Sequence, residues 1–440
     1  MARSRSRTTS RSQASGQSAT VGTAWYRRGI PWGGIVVSLL VVVAAMFAVD
    51  PVRDAVTLDG IGEARLDVSS AYMAIAPISS VLDTLTLLTV GQHIALLLWT
   101  IGAFVLWRVI RARHRPVTVA REAIAAGGLL LVIFLTYAAG AMAPRPMAQI
   151  VASDPSVIAI DFHAHTKYSH DGRFDWTEDD VRRWQRGAGF NAAYITDHRT
   201  FEGGERGIAG NPGVAGEETM LLQGIEAGYN GEHVNILSAG RRYKGVVTAD
   251  LRDVDEQSLM LANMFPATTP LIIETIPGNL SKVLVPNPRG VPPVQAIELV
   301  DGSPRGLSQG RRDRERIVHL ADSLNLALVS GSDNHGWGRA APGWTLMRIP
   351  GWRGMPTDSL SRRIEDVLRV ARREATRVVE RRVAGGQNPI ALAFTAPLVA
   401  WRMLTTLSAD ERVMWLIWTW GIVLLVRGLR RYRPRPSATA

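Results

Sequence analysis

Long uncharged apolar runs near the N-terminus contrast with shorter apolar runs farther along the chain. A run of about 20 apolar residues is long enough to cross a bilayer as a helix. We predict three such spans in residues 33–145, which are GGIVVSLLVVVAAMFAV (33–49), LTVGQHIALLLWTIGAFVLW (88–107) and AIAAGGLLLVIFLTYAAGAMA (123–143). A cleaved signal peptide is the alternative interpretation of the first run.

Two further apolar runs lie near the C-terminus. Residues 413–427 form a good candidate span, followed by a basic stretch. Residues 389–404 are shorter and contain two prolines, and whether they cross the membrane is left open. If they crossed, the basic C-terminal tail would lie outside the cell, so an interfacial or re-entrant segment is the preferred interpretation.

The region 150–385 has the pattern of a globular α/β domain. Its short runs rich in Val, Ile and Leu predict buried strands, and the polar stretches between them predict helices, an arrangement typical of a parallel sheet. The predicted strands are VIAIDF (157–162), NAAYIT (191–196), TMLLQGIE (219–226), HVNILSA (233–239), PLIIETI (270–276), AIELV (296–300) and LALVSG (326–331). A helix should follow the N-cap Thr177 and end at Gly187 or Gly189. Residues 361–383 are predicted to form a basic amphipathic helix.

These patterns divide the chain into four parts. Residues 1–32 form a basic cytoplasmic tail predicted to be disordered, and residues 33–145 hold three transmembrane helices. Residues 150–385 form the globular domain, and residues 386–440 contain the C-terminal membrane segment or segments with a basic tail.

Charge and composition restrict the location and the partners. The chain contains nine histidines and no cysteine, and the absence of cysteine excludes disulfides and thiolate metal sites. The formal net charge of +11 lies largely in the tails and the 108–121 loop. Cationic short loops stay in the cytoplasm, so the N-terminal tail and the 108–121 loop are expected inside. Three crossings then place the globular domain outside the cytoplasm, on a bacterial inner membrane that the chain crosses several times. The lipid bilayer is an expected partner, nucleic acid is not, and no protein partner can be identified.

The stretch IDFHAHTKYSHDG carries the first sign of chemistry. Side chains alternate between the faces of a strand, so His163 and His165 point the same way and can grip one metal ion. Apolar strands ending in acidic residues and histidine recur at Asp197–His198, at Glu226 with His233, and at Asp333 with His335. In α/β folds, the carboxyl ends of the strands form the functional face, where these residues could meet.

These four ordered motifs, HxHT…SHDG, ITDH, GIE…H and GSDxH, resemble the PHP (polymerase and histidinol phosphatase) superfamily over roughly residues 155–340. The resemblance implies a distorted (β/α)7 barrel with two or three divalent metal ions at the ends of its strands. The ligands that it implies are His163, His165, His198, Glu226, His233, Asp333 and His335, together with Asp171 or, in the alternative alignment, His170. Asp197 would orient a histidine instead of binding metal.

One position departs from the family pattern. The family usually has a His-Pro motif about midway, and here Ile276 precedes Pro277. Asn287–Pro288 is a poorer match, because it lies too close to the strand that follows. The missing ligand favours two ions over three and motivates one alternative, a catalytically weak metal- or ligand-binding sensor module.

The expected function is hydrolysis of a phosphate mono- or diester by a membrane-anchored phosphoesterase. Imidazole and carboxylate ligands suit Zn, Mn or Fe. Two such ions can hold a bridging hydroxide that attacks phosphorus in line. His198 or His233 could protonate the leaving group, and Arg339, Lys167 or Arg199 could bind the remaining phosphate charge. A PHP-type nuclease is a further alternative.

Overall fold

The computed structural model of the protein describes residues 31–113, 118–229, 232–242, 270–283, 294–383 and 388–431. The predicted basic tail up to residue 30, the tail beyond residue 431 and Asn287–Pro288 lie outside these residues.

All seven predicted strands are present, and five further strands accompany them. In chain order the strands are β1 (Val52–Asp54), β2 (Ala64–Val68), β3 (Ala148–Ala152), β4 (Val157–Ala164), β5 (Ala192–Ile195), β6 (Met220–Tyr229), β7 (Glu232–Leu237), β8 (Ile272–Glu274), β9 (Ala296–Val300), β10 (Ala327–Ser330), β11 (Gly343–Arg348) and β12 (Thr376–Arg381). Ten of them form one sheet in the order β1-β12-β11-β4-β5-β6-β7-β8-β9-β10, and β2 pairs with β3.

The sheet is mixed, whereas a parallel sheet was expected. The pairs β4–β5–β6 and β8–β9–β10 are parallel. Strand β7 is antiparallel to both of its neighbours, and so are β11 and β12. Strand β6 ends at Tyr229 and β7 begins at Glu232, and so short a connection permits only an antiparallel pair. The mixed α/β class is confirmed, but the described strands do not confirm a count of seven βα units.

The sheet curls, so that the segment after β10 returns to the end of β4. The Asp333 amide donates to the carbonyl of His163 over 2.8 Å, and the His165 amide donates to the carbonyl of Asn334 over 3.2 Å. Two separate ligand motifs of the sequence are thereby joined backbone to backbone.

Alternation of side chains along the strands builds a core on each face of the curled sheet. Phe162 and Tyr194 stack inside the curl at 5.5 Å between ring centroids, together with residues such as Ile273 and Val329. The other face packs against helices, for example through the buried Trp184. The polar residues at the carboxyl ends of the strands lie at one end of this apolar core.

The helices are α1 (Trp32–Ala45), α2 (Ser70–Ala74), α3 (Ala76–Thr86), α4 (Val90–Ala112), α5 (Val119–Met142), α6 (Glu178–Ala188), α7 (Glu202–Ala209), α8 (Leu280–Val283), α9 (Pro304–Leu307), α10 (Arg311–Leu324), α11 (Thr357–Ala371), α12 (Pro389–Ala393), α13 (Thr395–Thr406) and α14 (Ala409–Arg431). The boundaries of α6 agree with the prediction. Thr177 caps its start in a capping box with Asp180, and Gly189 ends it in the left-handed conformation.

The predicted helix over 361–383 is wrong in its second half. Helix α11 ends at Ala371, where the next residue, Arg372, has a φ of 48°. The β-branched run that follows forms β12, which pairs with β11 and β1. Strand β1 belongs to the segment between the first two predicted spans, so that segment is built into the large sheet.

Among the described helices, three are long and apolar enough to cross a membrane, namely α4, α5 and α14 up to Leu429. Helix α1, in the first predicted span, has 14 residues. It would extend only about 21 Å, less than the ~30 Å hydrocarbon core. The 389–404 segment divides into the short helices α12 and α13, neither of which is long enough to cross.

Candidate metal centre

His163 and His165 lie at the carboxyl end of β4 with their side chains on one face, and both are buried. Their Nε2 atoms face the same carboxylate oxygen, Oε2 of Glu226, at 3.0 and 3.2 Å. The HxH spacing therefore has the geometry that the strand alternation predicts.

Glu226, on β6, is the centre of the site. Its Oε2 also lies 3.2 Å from His198 Nε2, and its Oε1 lies 2.7 Å from His233 Nδ1. One buried carboxylate thus faces four imidazoles from three motifs.

The motif after β10 supplies the opposite wall. Asp333 Oδ1 lies 3.3 Å from His163 Nε2 and 3.4 Å from His165 Nε2. Asp333 has a φ of 47°, a strained conformation for a residue other than glycine, of the kind found at functional sites. The ring of His335 stacks on that of His165 at 4.1 Å between centroids.

The structure separates the two alternatives of the SHDG motif. Asp171 Oδ2 lies 3.2 Å from His335 Nε2 and 3.6 Å from His198 Nε2. The side chain of His170 is 58% exposed, and it meets the site only through the edge of the His198 ring. Asp171, rather than His170, therefore lies with the buried imidazoles.

We call the eight residues that meet here the cluster, and they are His163, His165, Asp171, His198, Glu226, His233, Asp333 and His335. Within the described residues, four groups place one possible ligand atom per residue within 4.8 Å of one another. They are His163–His165–Glu226–Asp333, His165–Asp171–His198, His198–Glu226–His233 and His163–Glu298–Asp301.

Glu298 and Asp301 were not predicted from the sequence. Glu298 lies on β9, fully buried, with its Oε1 3.1 Å from His163 Nδ1. A carboxylate on the second ring nitrogen fixes the tautomer of a metal-binding histidine, so that Nε2 is free for the ion. The available signal was a glutamate within the otherwise apolar run AIELV.

Small residues make room for this arrangement. A Cβ on Gly331 would stand 2.3 Å from Glu298 Oε1 and 2.5 Å from the Cβ of His163. Asp161 lies behind the pair, where it accepts hydrogen bonds from the His163 and Ser332 amides. These contacts position β4 against the segment that follows β10.

Asp197, expected to orient a histidine, is held mainly by Thr166. It accepts hydrogen bonds from the Thr166 amide and hydroxyl, both at 2.6 Å, while its distance to His165 Nδ1 is 4.0 Å. A Cβ on Gly203 would stand 2.1 Å from this carboxylate. Asp197 thus fixes the loop that follows His165.

The electrostatics of the cluster suit a cation. Burial by itself would lower the pKa of His163, but the neighbouring carboxylates, Glu226 and Glu298 first among them, raise that pKa well above its ordinary value. The same competition between burial and its carboxylate partners raises the pKa of His165 to about 10. Burial lowers the pKa of His198 to about 4, so its imidazole is neutral, which is the form that binds metal.

The pKa values of the carboxylates shift in different directions. Burial alone would raise the pKa of Glu226, but the surrounding imidazoles, His163 first, bring it well below its ordinary value. Burial raises the pKa of Asp301 well above its ordinary value, and the charge of Glu298 adds to the effect. The cluster thus holds protons on two imidazoles that a divalent ion would displace.

The cluster fits a metal site by its unsatisfied atoms as well. Both ring nitrogens of His165 and Nε2 of His335 are buried and make no well-directed hydrogen bond, although a carboxylate oxygen lies 3.2 Å from each of the two Nε2 atoms. A buried polar atom without a partner is costly, and a metal ion would satisfy it. The mixed nitrogen and oxygen donors suit Zn, Mn or Fe.

Within the described residues, no ion pair or side-chain hydrogen bond joins the cations expected to bind phosphate, Arg339, Lys167 and Arg199, to the cluster. Arg339 has Arg145, Arg173 and Asp180 as its charged neighbours, and within the described residues no ion pair joins it to the cluster. The ammonium of Lys167 lies over the ring of Tyr168. The predicted phosphate-binding role of Arg339 therefore gains no geometric support.

Ile276, where the family usually has histidine, is buried. Its carbonyl accepts a hydrogen bond from Arg305, whose guanidinium is also paired with Glu232 at 2.9 Å. The position contributes packing and a backbone acceptor, and no metal-binding side chain.

No family model and no curated protein matches the sequence. Similar solved structures include PsfC from Pseudomonas syringae, with 15% identity, coverage of 60% of this chain and 99% of that chain, and a TM-score of 0.33. A protein assigned as a metal-dependent phosphoesterase from Bifidobacterium adolescentis has 15% identity, coverage of 47% and 95%, and a TM-score of 0.28. A lesion-specific endonuclease from Pyrococcus furiosus has 15% identity, coverage of 47% and 55%, and a TM-score of 0.35.

Identities and TM-scores this low carry neither the fold nor the chemistry of these proteins over to this chain. The predicted PHP-like fold is supported, since its four motifs meet at one edge of a curled α/β sheet.

Proposed function

We propose that the protein is a membrane-anchored, metal-dependent phosphoesterase that hydrolyses a phosphate mono- or diester. The observation that supports this proposal is the convergence of four imidazoles on the buried carboxylate of Glu226. Such a set of donors, at the end of a curled sheet, suits a hydrolytic metal centre better than a structural one, because it remains partly open to solvent.

Two ions would be held by overlapping parts of the cluster. His163, His165 and Asp333 would hold one, and Asp171 and His198 would hold the other, with Glu226 shared between them. When bound, a pair of divalent ions activates water and neutralises charge on the phosphoryl oxygens.

His233 is placed to move a proton. Its Nδ1 is bonded to Glu226, and its side chain is 58% exposed, so Nε2 faces the open side of the site. The hydrogen bond with Glu226 raises the pKa of His233, which favours the protonated ring. Nε2 could therefore donate a proton to the departing oxygen. His198, the other expected donor, is kept neutral by its low pKa and would bind metal instead.

The test uses the full chain, purified in detergent, depleted of metal and reloaded separately with Mn²⁺, Zn²⁺ or Fe²⁺. We expect hydrolysis of aryl phosphate monoesters or diesters that His163→Ala abolishes and that His170→Ala, outside the cluster, preserves. Bound metal without turnover across the panel would contradict the proposal.

The second candidate is a sensor that binds metal or ligand without turnover, and Ile276 is the observation that favours it. If the protein is a sensor, the wild type has no hydrolytic rate, and His163→Ala would lower only the affinity for metal or ligand. Measuring metal binding and hydrolysis on the same preparations separates the two functions.

For the location, we propose that the sheet lies outside the cytoplasm. The start of α4 and the end of α5 face the sheet, while Arg111 and Arg113 lie at the opposite end of α4. Because the chain has no cysteine, single cysteines can report the side. A membrane-impermeant maleimide should label Glu205→Cys on intact cells and should not label Arg113→Cys, and the reverse pattern would invert the orientation.

A further inference from the structure

A cavity of about 540 Å³ joins the cluster to the ends of the candidate membrane helices. Asp171, Asp333 and His335 line it on one side. His93 of α4 and Tyr137 of α5 line it on another, where His93 Nδ1 and the Tyr137 hydroxyl share a hydrogen bond of 3.0 Å. The metal centre therefore opens toward α4 and α5.

The cavity extends along the helices below their ends. His93 comes three residues after the start of α4, and Tyr137 comes five residues before the end of α5. At 1.5 Å of rise per residue, these positions lie about 5–8 Å inside the helix ends. Both helices, of 23 and 24 residues, are longer than the ~30 Å hydrocarbon core, so this pair lies near the boundary of the core and gives the cavity a polar wall at that level.

The segment that carries Asp333 and His335 is attached to these helices. The Gly338 amide donates to the carbonyl of Ala141, at the end of α5, over 2.8 Å. The Gly338 carbonyl accepts from Trp184 Nε1 over 3.1 Å, and its φ of +80° suits glycine. The neighbouring Trp337 is half exposed, as is typical of tryptophan at the level of lipid headgroups.

The charges along the cavity narrow the choice of substrate. Among the described residues that line it, there is no lysine or arginine. A polyanionic polymer would need a row of cations along its path. A single phosphate requires neutralisation only at the metal centre, and the apolar remainder of its ester can lie against Leu85, Leu87 and Ala141.

We propose that this cavity takes the phosphate ester of a membrane lipid, with the phosphate at the cluster and the hydrocarbon part directed between α4 and α5 into the bilayer. The proposal rests on the phosphoesterase function and names its substrate class. Hydrolysis forms a bond from the oxygen of water to phosphorus, breaks the bond from phosphorus to the lipid oxygen, and delivers one proton to that oxygen.

The activity test uses the full chain in nanodiscs that contain phosphatidic acid, beside a water-soluble aryl phosphate. Ala141→Phe narrows the cavity, and Ala126→Phe makes the same change at an exposed position of α5, away from it. Ala141→Phe should lower kcat/KM for the lipid on the order of tenfold more than for the aryl ester, since overfilling a packed site is costly. Ala126→Phe should leave the ratio of the two values as in the wild type.

The binding test uses phosphatidic acid with a photoreactive diazirine near the start of its acyl chain. Crosslinks are expected in the peptides that contain His93 and Tyr137, and Ala141→Phe should reduce them where Ala126→Phe does not. Crosslinks confined to the outward-facing residues around Leu131 and Phe134, and unchanged by Ala141→Phe, would overturn the proposal.

The two proposals fail in different ways. Hydrolysis of aryl phosphate without hydrolysis of the lipid, together with no crosslinks in the cavity, would overturn the lipid substrate and leave the phosphoesterase. Crosslinks in the cavity without hydrolysis of any ester by the metal-loaded protein would overturn the phosphoesterase and support the lipid site.

Discussion

Glu298→Gln is the substitution that most directly tests the metal centre. Glu298 is fully buried and accepts a hydrogen bond from Nδ1 of His163 at 3.1 Å, while His163 Nε2 faces the cluster. Glutamine keeps the size of the side chain and can still accept this bond, but it removes the negative charge that polarises the ring.

The magnitude follows from the change in hydrogen bonding. A hydrogen bond to a charged group contributes about 1.5–3 kcal/mol and a neutral one about 0.5–1.5 kcal/mol, so the loss is about 1–1.5 kcal/mol. That corresponds to roughly tenfold weaker metal binding, at the lower end of the ~10–100-fold range for partners of metal-binding histidines. In the metal-free protein, the variant loses the attraction between Glu298 and the protonated ring of His163, but it also relieves Asp301, whose pKa is raised by burial and by Glu298. These two effects oppose each other, so the stability of the metal-free protein should change little.

The assay measures metal affinity of the full chain by competition with a coloured chelator, beside thermal unfolding of the metal-free protein. Glu274→Gln is the matched control, since Glu274 is equally buried on the adjacent strand β8 and, among the described residues, is in none of the groups that could share an ion. Burial and then Glu232 raise the pKa of Glu274 to about 8, so it is protonated at neutral pH and resembles glutamine. Equal metal affinity in wild type and Glu298→Gln, or equal loss in both variants, would refute the reasoning.

Four further outcomes are expected. Asp171→Asn should weaken metal binding and His170→Ala should not, and comparable metal affinities of the two variants would contradict the placement of Asp171 in the cluster and of His170 outside it. Gly331→Ala should destabilise the fold by about 1–3 kcal/mol in denaturant unfolding, because its new methyl group would overlap two buried side chains, and wild-type stability would show that they can move. In the metal-free protein, the protonated rings of His163 and His165 stabilise the fold fully below a pH of about 6.5. The contribution of His165 is lost as pH rises toward about 10, and that of His163 is lost as pH rises through its raised pKa, so thermal stability should fall as the solution becomes alkaline. Metal uptake should release protons and tighten with rising pH in a pH-stat titration, and pH-independent binding would contradict the raised pKa values.

The sequence predicted the strands that carry the cluster because their signals are local. Runs such as VIAI and LALV are apolar throughout, and each is followed within a few residues by side chains of the kind that bind metal. The ends of α6 were equally local, at Thr177 and Gly189. The strand β12 was missed because residues after Ala371 continue the charge pattern of a helix, and only pairing with β11 and β1 makes a strand the better state.

The sequence by itself determined which residue types stand at the strand ends, and therefore that imidazoles and carboxylates would be available to a cation. Only the tertiary structure decided which of them meet. The choice between His170 and Asp171 depends on the course of a loop, and the contact of Glu298 with His163 depends on the curl of the sheet across 135 residues of chain. The charged surroundings of Arg339, which include Arg145 and Asp180, and the opening of the cavity against α4 and α5 depend on packing between distant segments. Local patterns report burial and backbone preference, whereas distances between remote side chains arise only when the sheet closes on its core.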